Sequence, residues 1–272
     1  MNDIINTPKR HKPSIQTKIT RYLSYDEIPD WMKDNDLIRE YYRPQMSFIF
    51  ALSSLFKWHN ETINIWTHLL GLIGFSIATI IYNMSWPGFI FQISLLYTLL
   101  ASVSAHLFYV VNKDFCKILW RIDHMGIAIC STGAFFPICF YIFNKYLAII
   151  YIIITCFIAQ IIIICSLFDK FHSADFRAYR TIIQLSFPIW SIVPLSHAFY
   201  ISEEYTKNIL LFIVFAILIE ISGAIIFVSR IYEKYLNNKV NLIGSSHNIM
   251  HIIVLIGHSV FFYSVYILYK ST

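Results

Sequence analysis

An all-α membrane protein, a bundle of seven transmembrane helices, is the fold this sequence predicts, and three observations carry that reading. Hydrophobic residues make up 57% of the chain and charged residues only 14%, against the ~25% charged of an ordinary soluble domain. After about residue 63 the chain holds seven apolar stretches, each long enough for the ~20-residue helix that a bilayer requires. Lysine and arginine fall in clusters that separate these stretches. Backbone polar groups in lipid must be satisfied within the segment itself, which selects helices over open strands. One bundle accounts for most of the 272 residues and leaves no room for a second large domain.

Taken in order, residues 1–20 are basic and polar and are expected to be disordered. Residues 25–45 mix acids and aromatics with Pro29 and Pro44, which predicts a folded segment beside the membrane. Residues 48–58 are apolar but too short to span, so they are expected as a short helix lying at the interface. An N-terminal extension of the first span is the other reading. Residues 1–47 then form a cytosolic segment and 48–272 the membrane domain. The spans are predicted at 63–83, 88–111, 122–142, 146–168, 178–200, 207–230 and 247–269. Pro137 falls in span three and Pro188 and Pro194 in span five, where kinks are expected.

Orientation follows from charge. Eighteen of the 21 Lys and Arg residues precede span one or lie between spans two and three, four and five, or six and seven. Lys145, Lys207 and Lys270 are on the other side. The positive-inside rule then predicts a cytosolic N-terminus and an external C-terminus. The first 45 residues are too polar for a cleavable signal peptide. Five cysteines (Cys116, Cys130, Cys139, Cys156 and Cys165) show no CxxC pattern. Neither a disulfide framework nor a thiolate metal site is expected of them. The spans carry no interior lysine in span seven, which sets aside a retinal-type pump.

Polar residues gathered at one membrane face carry the chemistry. His247 and His251 are four apart at the start of span seven, hence on one helical face. Such a pair can ligate one metal, or can simply bond backbone and headgroups. His106 near the inner end of span two and Asp123 at the start of span three reach the same level. Three imidazoles with an open position describe a catalytic-type zinc site. Zinc proteases of the HExxH type have a glutamate beside the first histidine; here that position is Asn248. Asp123 is therefore the candidate holder of a metal water, or general base. Ser102, one turn before His106, could bond the same water or its own helix carbonyl. Glu61, Asn64, Thr67 and His68 share a face at the start of span one. Helix capping, with Asn60 or Thr62 as cap and Glu61 favoured by the dipole, is as good a reading as a site role. Glu220 in span six meets a cavity or a partner, and His258 lines the interior, too far along the helix from His251 for the same metal. His11, His59, His172 and His197 are expected at surfaces, and His124 points away from Asp123.

These residues resemble the signatures of the progestin and adipoQ receptor family, which includes the haemolysin III proteins. The first signature, Glu-x-x-Asn-x-x-Ser/Thr-His, is matched by Glu61, Asn64, Thr67 and His68. The second, Ser-x-x-x-His followed by Asp, is matched by Ser102, His106 and Asp123. The third, His-x-x-x-His, is matched by His247 and His251. Residues 25–44 are similar to the cytosolic lead-in of the fungal and adiponectin-receptor branch. The resemblance covers roughly residues 25–269 and implies Zn2+ bound by His106, His247 and His251, with Asp123 holding the metal water. It implies membrane receptors linked to zinc homeostasis and lipid metabolism, some of them zinc-dependent ceramidases.

Three functions are thus expected: an intramembrane zinc-dependent amide hydrolase, a signalling receptor with structural zinc, or a metal or proton transporter. The expected partner is a membrane lipid, such as an N-acyl sphingoid base or a free fatty acid. No nucleic acid is expected, and neither a cytosolic partner nor the choice between plasma membrane and endoplasmic reticulum is legible. The short tail after span seven speaks against binding of a protein hormone.

Overall fold

The computed structural model describes residues 21–236 and 240–272; the expected disorder of residues 1–20 lies outside them. Helix α1 (Phe48–Ser53) and a 3-10 turn at Ser54–Phe56 form the short element predicted before the first span. The spans follow as α2 (Thr62–Ile81), α3 (Trp86–Phe108), α4 (Lys113–Ile142) and α5 (Lys145–Cys165). The fifth span comprises α6 (Arg177–Gln184) and α7 (Ser186–Ile201), the sixth is α8 (Glu204–Ser229), and the seventh is α10 (Ser246–Ser271). A short α9 (Ile231–Tyr235) bridges the last two.

Span boundaries agree with the hydropathy reading except at α4, which begins nine residues before the predicted 122. The polar turn Lys113–Arg121 continues the helix because Asn112 caps it, its side chain accepting from the Phe115 amide. Asn144 caps α5 in the same way through Leu147. The fifth span breaks at Leu185. Pro188 has no N–H to offer the Gln184 carbonyl, so the ladder is interrupted there. Pro137 and Pro194 are carried inside α4 and α7.

Apolar side chains cover the outside of the bundle: Ile80, Ile153, Phe157 and Phe212 are all exposed. Water would penalise such a surface, whereas lipid is its natural solvent. Inside, α3 and α4 approach closely. A Cβ on Gly133 would fall 2.0 Å from Ser94 Oγ, and one on Gly126 would fall 3.3 Å from the Thr98 Cα. Thr98 Oγ1 donates across this seam to the Gly126 carbonyl at 2.7 Å. Small residues with a cross-helix hydrogen bond are the usual means of joining helices in lipid.

The segment before α1 is folded, as its composition predicts. Leu23 and Tyr42 pair across it, and Ile28, Met32, Ile38, Tyr42 and Met46 pack on Tyr109, Val110 and Cys116. Polar ties fasten it over the loops of the basic end. Asp34 pairs with Arg177 at 2.7 Å and Asp36 with Arg230 at 2.6 Å. Asn35 Nδ2 donates to Glu233 at 3.1 Å, and the Arg39 amide donates to Asn241 Oδ1 at 2.8 Å. Burial raises the Asp34 carboxyl, but Arg177, His247 and Arg180 outweigh it and hold the group below its ordinary range.

Candidate metal centre

His247 and His251 sit in the first two turns of α10, and His106 sits in the last turn of α3. Both helix ends lie at the end of the bundle that carries most of the lysines and arginines. The three rings converge. His106 is 5.1 Å from His247 and 4.9 Å from His251, and the latter two are 4.8 Å apart, centroid to centroid. One nitrogen from each lies within 4.8 Å of the others. Among the described residues this is the one set of three such side chains close enough to share an ion. His251 Nδ1 is buried without a hydrogen-bond partner among the described residues, an arrangement that costs free energy unless something ligates it.

The helix start that presents these histidines is built locally. Ser245 caps α10: its hydroxyl accepts from the Asn248 amide at 3.1 Å, and Asn248 Oδ1 accepts from the Ser245 amide at 3.2 Å. Asn248 thus has a defined task at the position where an HExxH helix carries glutamate. Its Nδ2 also donates to Asn64 Oδ1 at 2.8 Å, and Asn64 Nδ2 donates to Glu61 Oε2 at 2.8 Å. Glu61 Oε2 in turn accepts from His106 Nδ1 at 2.7 Å. These bonds correct the capping reading of the first signature: neither Asn60 nor Thr62 caps α2, whose N-cap position is Glu61 with no side-chain cap bond. Its carboxylate fixes the His106 ring instead and leaves Nε2 for other work. Thr67 has only a local role, bonding the Ile63 and Asn64 carbonyls. His68 lies against His251, the two rings tilted with centroids 4.0 Å apart.

Asp123 and Ser102 adjoin the same space. Ser102, Asp123 and His106 all line one cavity. That cavity encloses about 730 Å³, a volume typical of a site for a small organic ligand. Its lining extends from Asp30, Lys33 and Asp34, outside the spans, past the histidines to Phe91, Phe135 and Phe261 within them.

One histidine departs from expectation. His59 is fully buried rather than at a surface, with Nδ1 accepting from the Glu61 amide at 3.2 Å. His124 does point elsewhere, its Nδ1 lying 2.8 Å from that of His172. Arg43 carries no signal in the sequence and has a central position. It is fully buried, donating to the His106 carbonyl at 2.6 Å, the Leu107 carbonyl at 2.9 Å and Ser54 Oγ at 2.7 Å. It therefore satisfies carbonyls that the end of α3 leaves open. Glu233 does similar work at α10, accepting from the Ser246 amide at 2.9 Å and from the Ser246 hydroxyl.

The fold and this cluster define a multi-pass integral membrane protein with a candidate metal centre at one end of seven helices. The haemolysin-III-related family model matches residues 56–262, and the chain belongs to that family, that of the progestin and adipoQ receptors. It is 34% identical to heptahelical transmembrane protein 1 of Arabidopsis thaliana, over 86% of this chain and 77% of that one. It is 30% identical to the ADIPOR-like receptor IZH2 of Saccharomyces cerevisiae, over 88% and 81%. Progestin and adipoQ receptor family member 3 of Homo sapiens is 26% identical, over 90% and 85%.

Proposed function

We propose that the chain is a receptor-like zinc protein of the membrane whose centre hydrolyses the amide bond of a lipid, an N-acyl sphingoid base being the substrate class. The observation that carries this reading is the convergence of three imidazole nitrogens, one of them an orphan, beside a carboxylate and at the head of an apolar-walled cavity. The donor set fits zinc, which takes three imidazoles and keeps a fourth position open in catalytic sites. Zinc bound there would acidify a water and polarise a carbonyl.

The chain's own residues have distinct tasks in this proposal. His106, His247 and His251 are the ligands. Glu61 accepts the His106 Nδ1 proton and so presents Nε2 to the ion. Asp123 accepts the proton of the attacking water, and Ser102 orients that carboxylate. The apolar depth of the cavity, with Phe91, Phe135 and Phe261, receives aliphatic chain and excludes water. A cytosolic basic end belongs to the same proposal and is supported by the lysine and arginine distribution.

The test is hydrolysis of an N-acyl sphingoid lipid by purified, zinc-loaded protein in detergent. Turnover that is lost on chelation and in Asp123→Asn, with zinc retained in that variant, is the expected result. Wild-type protein that carries zinc yet releases no fatty acid would leave a signalling receptor with structural zinc. The word receptor in several relatives' names favours that second reading. Zinc or proton flux into proteoliposomes would point to transport.

A further inference from the structure

Deeper in the cavity a second group of polar side chains meets, away from the three histidines. Glu220 on α8 faces His258 on α10, and His258 Nδ1 lies 2.7 Å from Glu220 Oε1. Both line the cavity. Seven residues of one helix separate His251 from His258, about 10 Å along its axis. His68 on α2 stands between the two levels. Its ring centroid is 4.0 Å from that of His251, and it lines the same cavity as His258. His68 is only 8% exposed, and neither of its ring nitrogens has a hydrogen-bond partner among the described residues. Cys130 on α4 lines the cavity as well. Four spans therefore contribute to the cavity.

The sequence makes room for it. A Cβ on Gly257 would lie 2.6 Å from Glu220 Cγ, so the glycine is the seat of the carboxylate stem. Ionisable groups at this depth are costly and as a rule serve a purpose. The Glu220–His258 bond uses one oxygen and one nitrogen. Oε2 of Glu220, Nε2 of His258 and both nitrogens of His68 are left, which together can accept and donate. A plain alkyl chain passing this level would strip water from these groups and give nothing in return. A hydroxyl on the chain would satisfy them, since it accepts and donates at once.

We propose that Glu220, His258 and His68 form a subsite for a hydroxyl carried on the aliphatic chain of a ligand whose carbonyl end lies at the three histidines. The second half of that statement rests on the metal-centre reading above; the subsite itself rests on the pair, the orphan imidazole and the cavity that joins them. It makes the cavity selective for chains with a second polar group about 10 Å from the first.

The experiment compares decanoic acid with 10-hydroxydecanoic acid by calorimetric titration of the full chain in detergent, with bound metal measured in every sample. Wild-type protein is expected to bind the hydroxy acid about tenfold more tightly, the value of one added hydrogen bond to a charged group. Glu220→Ala and His258→Leu are expected to abolish the preference without weakening decanoic acid. Glu220→Gln, which keeps the shape of the side chain, guards against a folding failure and is expected to reduce the preference. Equal affinities in the wild type, binding of neither acid, or a preference undiminished in all three variants would overturn the subsite. A preference that persists in wild-type protein devoid of metal would support the subsite while removing the metal centre.

Discussion

Glu61→Ala is the perturbation that most directly probes how the cluster is held. Its carboxylate is the acceptor for His106 Nδ1 at 2.7 Å, and the His106 ring is 1% exposed. Loss of such a partner behind a metal-ligating histidine typically lowers metal affinity 10–100-fold, equivalent to ~1.4–2.7 kcal/mol. Glu61→Ala is expected at the upper end, about 100-fold, because it removes the whole charged acceptor from the imidazole N–H. Glu61→Gln keeps an oxygen acceptor and loses the charge, so about tenfold is expected. The assay is competition for zinc against a chelating dye in detergent, with thermal unfolding measured in parallel to confirm that the variants fold. Asn64→Ala should lie between these two, since Asn64 positions Glu61 and connects it to Asn248. A folded Glu61→Ala protein with zinc affinity within about a factor of two of wild type would refute the assignment of Glu61 as the group that orients His106.

Other outcomes follow from the same structure. Arg43→Ala removes three hydrogen bonds from a buried site and leaves the end of α3 open; a loss of about 2–4 kcal/mol in thermal or denaturant unfolding is expected. Arg43→Lys should not restore it, because an ammonium cannot reproduce the planar fork. Asp123→Asn should retain zinc by elemental analysis and lose lipid amide hydrolysis; zinc loss would instead make Asp123 part of the metal's support. Zinc should be released on acidification, because protons compete with the ion for the imidazole nitrogens; zinc retained in acid by the folded protein would point to different ligands.

The bundle was readable because lipid imposes a strong constraint: a span must be apolar, uninterrupted and about 20 residues long. The early start of α4 was not readable, since Lys113–Arg121 is polar and its helicity depends on the Asn112 cap and packing rather than on hydropathy. His247 and His251 were legible because one helical turn relates them. Their meeting with His106 depended on topology, which the charge clusters supplied. Glu61 was open to a local reading as an acid favoured by the helix dipole; only the packing of α2 against α3 shows that its carboxylate goes to His106. Arg43 is one more basic residue in a basic segment until its burial against the end of α3 is seen. Glu220 and His258 stand out as polar residues within spans, but their pairing joins two helices whose relative register no sequence period records.

X-ray absorption at the zinc edge, on protein purified without added chelator, tests the central claim most directly. The account predicts one zinc per chain, bound by three imidazole nitrogens at ~2.0–2.1 Å with one oxygen completing the tetrahedron, and loss of that signal in His247→Ala/His251→Ala. Sulfur in the coordination sphere, or a spectrum unchanged in the double variant, would contradict it.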